Sequence, residues 1–177
     1  MKCLILAAGY ATRLYPLTEN FPKPLLEVGG KSILDWLVDD IHGSGLVDGY
    51  VVISNHKFAS HFEKWAKEKM VSSPGMNISV VDDGTSTNET RLGAVCDMKF
   101  AMDTLGIDDD ILVIAGDNVL DFSLQHFLNF AREKGTSCVM RYSEPDEAKL
   151  RKCGVMTVDS SDRILSMVEK PSEPQSH

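Results

Sequence analysis

The sequence predicts an α/β fold with a mostly parallel sheet and helices on both faces. Three features point there. Strand-like and helix-like segments alternate, the strand-like ones are short and continuously apolar, and glycines stand where the helix-like ones stop. Cys3–Ala8 reads as a first buried strand followed by a Gly-containing loop. Ile33–His42 repeats Ile33, Leu34, Leu37, Val38 and Ile41 at helical spacing, with Gly43 and Gly45 as stops. Gly49–Ser54 is a strand, and Phe58–Val71 is a helix turning Phe58, Phe62, Trp65 and Met70 inward. Asn77–Val81 is a strand, Leu92–Leu105 a helix ended by Gly106, and Asp110–Ala115 a strand expected to be buried on both faces. Ser123–Lys134 is helical, with Ser123 as N-cap and Gly135 as stop. Thr136–Tyr142 reads as another strand. Gly154–Val158 and Ile164–Glu169, joined by Asp159–Arg163, read as an antiparallel pair.

The chain has 177 residues, 43% hydrophobic and 25% charged, which suits one globular domain over residues 1–177. No apolar run reaches membrane-spanning length, and the opening apolar run is too short for a signal peptide. The net charge of −8 argues against a general nucleic-acid surface. Any phosphate site in such a protein must gather cations locally or recruit a metal ion. Cys3, Cys96, Cys138 and Cys153 form no CxxC pair and read as small buried hydrophobes of a reducing cytoplasm. His56 and His61 lack metal-ligand spacing. The tail Pro171–His177 is polar and expected to fray.

Ligands of such sheets sit beyond the carboxyl ends of the strands. Two segments fall there: Gly9–Lys23 after the first strand, and Gly116–Asn118 after DILVIA. In the first, Gly9 lets backbone N–H groups approach a ligand, Arg13 and Lys23 supply charge, and Pro16, Pro22 and Pro24 stiffen the loop. This is neither a P-loop nor a dinucleotide fingerprint. An irregular surface loop with solvated cations is the alternative that these residues alone leave open.

Residues Leu6–Leu25, LAAGYATRLYPLTENFPKPL, resemble the signature loop of the nucleotidyltransferases that include glucose-1-phosphate thymidylyltransferases, mannose-1-phosphate guanylyltransferases and choline-phosphate cytidylyltransferases. Ala11 stands where that signature has its second Gly. The following GGKSILDWLV is also similar, as are IAGDN at Ile114–Asn118, KCGVM around Gly154 and VEKP at Val168–Pro171. Thr90–Val95, TRLGAV, resembles the family's base-proximal segment only loosely, with Thr90 and Arg91 in place of the usual Gly and Thr. The resemblance covers essentially the whole chain. It implies a three-layer, Rossmann-like nucleotidyltransferase fold with a mixed, mostly parallel sheet.

The resemblance also implies the chemistry. An NTP is joined to a sugar 1-phosphate, or a similar phosphorylated acceptor such as phosphocholine, with release of pyrophosphate. Arg13 and Lys23 would be catalytic cations; Leu6, Ala7, Ala8, Gly9, Thr12, Arg13, Thr90 and Gly93 would bind the nucleotide. Asp117 would hold Mg²⁺, while Asn118, Gly154, Glu169 and Lys170 would bind the acceptor. The partners are thus an NTP and a small phosphorylated acceptor, with no nucleic acid and no membrane, and a homodimer is compatible. Relatives usually continue past Glu-Lys-Pro to a second metal-binding Asp, and no Asp follows Ser172 here. The resemblance therefore implies a C-terminally incomplete fold, either a fragment or a naturally short relative. A non-catalytic nucleotide-binding module is the competing class of function.

Overall fold

The computed structural model describes residues 1–174, so Gln175–His177 of the tail expected to fray lie outside the described residues. The chain divides into two compact units, Met1–Gly135 and Thr136–His177, where the sequence reading expects one domain over 1–177. Each is described by itself.

In chain order, the first unit holds β1 (Lys2–Leu6), an antiparallel pair β2 (Glu27–Val28) and β3 (Lys31–Ser32), α1 (Ile33–Gly43), β4 (Gly49–Ser54), α2 (Ala59–Ser72), β5 (Ile78–Asp82), α3 (Ala94–Leu105), β6 (Ile111–Ala115) and α4 (Gln125–Lys134). Four strands form one wholly parallel sheet in the order β5-β4-β1-β6. Alternate residues of β1 serve opposite faces, as the two-residue period of a strand requires. Cys3 and Ile5 join α1, α2 and α4 through Leu34, Val38, Ile41, Phe62, Trp65 and Leu128. Leu4 joins Val51, Ile53, Val81 and Ala101 beneath α3. Ser32 caps α1 by accepting the Asp35 N–H at 3.0 Å, a contact worth about 1 kcal/mol.

The structure corrects several expectations. β6 is not buried on both faces: Leu112 is sealed, but Ile111 and Val113 are exposed. The physical reason is coverage, since β6 is an edge strand and α3 packs over β1 and β4. Ser123 is not the N-cap of α4. Leu124 takes that position, and the Ser123 hydroxyl accepts the Gln125 N–H at 3.1 Å from just outside. Of the four cysteines only Cys3 is buried, where desolvation raises its thiol pKa to about 12; Cys96 is exposed and the other two are half-buried. No helix among the described residues is long and apolar enough to cross a membrane.

The second unit contains a one-turn helix, α5 (Glu147–Leu150), and the antiparallel pair β7 (Gly154–Val158) and β8 (Ile164–Glu169) with the expected bounds. The strand expected over Thr136–Tyr142 does not form. Val139, Met140 and Tyr142 are exposed there, and strand propensity without a neighbouring ladder leaves backbone groups unpaired.

One buried feature of the first unit carries a pH dependence. Asp83, just beyond β5, and Asp97, in the first turn of α3, are each under a tenth exposed, and each keeps one carboxylate oxygen without a partner. Desolvation first, and then the neighbouring Asp83 carboxyl, push Asp97 up to about 6. An unfolded Asp titrates near 3.9. Between these values the folded state binds the extra proton, so stability is intact in acid and falls as pH rises from about 4 through 6. Asp97→Asn removes the buried charge and offers an N–H to the Asp83 oxygen. Urea denaturation at pH 8 should find the variant more stable by about 1–3 kcal/mol, with the loss between pH 4 and 6 flattened.

Candidate functional site

The order of the parallel sheet locates a site before any side chain is considered. The chain runs outward from β1 to β4 and β5, then returns across to β6 on the other side of β1. The strand that follows β1 lies on one side of it and β6 on the other, so the boundary between β1 and β6 is the topological switch point, where ligands of such sheets bind at the carboxyl edge. Leu6 is in register with Ile53 and Ala115, so the ends of β4, β1 and β6 lie level along that edge.

The loop after β1 starts where the Ala7 N–H donates to the Ile53 carbonyl at 2.9 Å and β1 ends. Ala7 is buried, Ala8 partly exposed and Gly9 exposed. A Cβ added to Gly9 would meet no atom within 4 Å, so the space over the loop is open. Ala11 takes a left-handed φ of 47°, which Gly adopts freely and Ala holds at a cost of about 1–2 kcal/mol. This is the residue that departs from the glycine of the resembled signature, and the backbone keeps the glycine-type conformation. Thr12–Leu14 then form a 3₁₀ turn that presents Thr12 and Arg13 to solvent. A second 3₁₀ turn, Lys23–Leu25, buries Pro24 and Leu25 and leaves Lys23 at its start.

On the other side of that boundary, Gly116 donates its N–H to the Leu6 carbonyl at 2.9 Å. A Cβ there would lie 3.0 Å from Ile5 Cγ2 and 3.4 Å from the Leu6 oxygen, so a larger residue would crowd β1 and the glycine eases the close approach of β6. Asp117 follows, and its Oδ2 accepts from Lys23 Nζ at 2.8 Å. Asn118 beside it is exposed. The two residues chosen as phosphate cation and metal ligand, far apart in sequence, thus form one ion pair.

Thr90 and Gly93 lie in the exposed loop between β5 and α3. The Thr90 hydroxyl donates to the Thr87 carbonyl at 3.0 Å, and Gly93, with φ 88°, opens α3. Sequence reading missed the contacts that join this loop to the others. The buried Tyr10 hydroxyl lies 3.4 Å from Thr85 Oγ1, and burial raises the phenol pKa. His56 Nδ1 lies 2.6 Å from Asp82 Oδ2, which raises the imidazole pKa. Asn55 and Thr18, wholly buried, bind carbonyls of the first loop. A polar residue directly after the apolar run of β4 was the available signal for Asn55.

In the second unit, Gly154 is paired in register with Glu169 across β7 and β8. A Cβ on Gly154 would come 2.6 Å from Met167 Cε and 3.2 Å from Glu169 Oε2, so the glycine leaves room for the carboxylate. Lys170, with φ 48°, donates its N–H to the Cys153 carbonyl, and its ammonium lies 3.3 Å from Glu169 Oε1. Both side chains are exposed, and a shallow depression is lined by these two residues with Thr157 and Ser166.

Among the described residues no cluster of three or more His, Cys, Asp or Glu side chains forms a metal cage. A single half-exposed carboxylate suits a magnesium ion that keeps water and takes phosphate oxygens as its other ligands.

Comparison with known proteins agrees with this architecture. A family model described as Nucleotidyl transferase matches residues 2–177. The bifunctional protein GlmU of Methanococcus aeolicus is 32% identical over 180 residues, covering 100% of this chain and 38% of that protein. The mannose-1-phosphate guanyltransferase of Candida albicans is 29% identical over 177 residues, covering 98% of this chain and 46% of that one. The chain spans less than half the length of both relatives. A crystal structure of UDP-glucose pyrophosphorylase complexed with UDP-glucose superposes with a TM-score of 0.74 at 20% identity, covering 96% of this chain and 69% of that one, and shares the fold.

The Lys23–Asp117 pair is solvent-exposed enough that it adds little to folding. Lys23→Met should change the unfolding free energy by less than about 1 kcal/mol in urea titration. A loss of several kcal/mol would mean that the pair is a structural clasp and not a binding site at rest.

Proposed function

The chain belongs to the nucleotidyl transferase family, and from that premise we propose that it forms the nucleotide-binding part of an enzyme that joins an NTP to a sugar 1-phosphate. The observation that carries this is the meeting of Lys23 with Asp117 at the switch point, beside an open glycine loop and the exposed Arg13. The similarity to a mannose-1-phosphate guanyltransferase supports the sugar-phosphate class of acceptor.

In the reaction, an acceptor phosphate oxygen attacks the α-phosphorus of the NTP. The bond from that phosphorus to the bridging oxygen breaks, and pyrophosphate leaves. A phosphate nucleophile is already anionic and needs no general base, so catalysis rests on positioning and charge neutralisation. Arg13 binds the triphosphate and the departing pyrophosphate. Lys23 exchanges its carboxylate partner for phosphate oxygens, and Asp117, released from Lys23, is free to hold Mg²⁺. The ion, when bound, withdraws charge from the phosphate oxygens. Leu6–Gly9 and Thr12 supply the backbone around the phosphates, while Thr90 and Gly93 stand where the base would lie. Asn118, Gly154, Glu169 and Lys170 would serve the acceptor, with Glu169 on a hydroxyl and Lys170 on the phosphate. A reducing cytoplasm is the expected setting.

The test is direct titration of NTP in the presence of Mg²⁺. Arg13→Ala should weaken binding by about tenfold, as loss of a charge-assisted contact does. Asp117→Asn should leave NTP binding without Mg²⁺ intact and abolish its strengthening by Mg²⁺. Unchanged binding in folded Arg13→Ala would remove the triphosphate loop from the account.

A further inference from the structure

Two polar side chains with no exposed surface hold the loop after β1 from beneath. Asn55 Nδ2 donates to the Ala8 carbonyl at 2.9 Å, and Asn55 Oδ1 accepts the Phe58 N–H at 3.1 Å. Thr18 Oγ1 donates to the Ala11 carbonyl at 2.9 Å, which also takes the Leu14 N–H. Burying an amide or a hydroxyl is costly unless its hydrogen bonds are made, and both side chains are sealed for the sake of a carbonyl in an otherwise exposed loop.

What those carbonyl contacts achieve follows from the peptide unit. It is planar and trans, so the C=O of one residue and the N–H of the next point to opposite sides. Among the described residues the one cis bond is Tyr15-Pro16, so the Ala8–Gly9 and Ala11–Thr12 peptides obey this rule. Drawing the Ala8 oxygen toward Asn55 turns the Gly9 N–H away from the core. Drawing the Ala11 oxygen toward Thr18 does the same for Thr12. Neither N–H meets an acceptor among the described residues, both residues are exposed, and the space above Gly9 is open. Ala11 is kept in its left-handed conformation by the same contacts, which aims the second peptide.

We propose that Asn55 and Thr18 are positioning residues that hold the Gly9 and Thr12 N–H groups toward the phosphates of the nucleotide. The inference rests on the reading of this loop as the triphosphate site. Two outward N–H donors beside the exposed Arg13 offer a polyphosphate chain donors and charge independent of the base attached to it.

Inorganic tripolyphosphate is the probe, because it carries no base or sugar. In the wild-type chain, the backbone amide resonances of Gly9 and Thr12 should shift saturably as it is added; resonances that stay still at saturation would overturn the proposal. Three substitutions separate aiming from folding. Thr18→Val keeps the volume and loses the hydroxyl, Thr18→Ser keeps the hydroxyl, and Asn55→Asp keeps the acceptor for Phe58 but loses the donor for Ala8. Tripolyphosphate affinity of the folded protein should fall about tenfold in the Val and Asp variants and stay within about twofold in the Ser variant. Lower melting temperatures with undiminished affinity would mean that both residues are merely structural, and the proposal would be wrong. Arg13→Ala run alongside tells the two readings apart. If it loses affinity while the Val and Asp variants keep theirs, only this inference falls; if no variant changes affinity, the triphosphate loop falls with it. Should the Val and Asp variants fail to fold, the wild-type amide shifts decide.

Discussion

The site depends on one contact, the 2.8 Å ion pair between Lys23 and Asp117. A protein with net charge −8 repels polyphosphate from most of its surface. It can bind one only where cations are gathered and a carboxylate is available to bring in a metal. The parallel sheet arranges that by topology. β1 and β6 are neighbours in the sheet but distant in the chain, and each ends level with the other. The residues that follow them, one cationic loop and one Gly-Asp turn, therefore face each other across the switch point. Without the nucleotide the two charges satisfy one another. In the proposed function, nucleotide offers each a better partner, the lysine in phosphate oxygens and the aspartate in a metal ion.

Most of the architecture was legible in the sequence because it rests on local patterns. The apolar run GYVVIS became β4 with the expected bounds, and all six of its residues are buried. The antiparallel pair closing the described chain also kept its bounds, since its turn residues and alternation are local signals. Failures came where the outcome depends on what covers an element. After Asp110, DILVIA is apolar, yet only one of its faces is packed, because among the described residues α3 packs over β1 and β4 and leaves that side of the edge strand open. TSCVMRY has the composition of a strand and finds no ladder partner among the described residues. Composition records a capacity for burial; neighbours decide whether it is used.

In the candidate site the charged and glycine positions stand out in the sequence, and the residues that brace them do not. Gly9, Arg13, Lys23 and Asp117 stand out because loops that hold phosphate need bare backbone and charge. Thr18, Asn55 and Tyr10 do not stand out, because a buried polar residue that binds one carbonyl has no spacing to betray it. No local pattern in the sequence joins Asp83 to Asp97. Only the fold brings the two carboxyls together, with an oxygen of each left unpartnered. Asn55 and Tyr10 join the connections after β1, β4 and β5 to one another at the carboxyl edge of the sheet.

The central claim is that the carboxyl edge at β1 and β6 binds a nucleoside triphosphate, that a metal ion tightens this binding, and that the metal binds weakly alone. Calorimetric titration of the wild-type chain with an NTP, run once with Mg²⁺ and once with a chelator, tests it most directly. The account predicts saturable binding in both, tightened severalfold or more by Mg²⁺, and weak or absent Mg²⁺ binding to the protein without nucleotide. Equal affinity in the two titrations, or no binding in either, would contradict it.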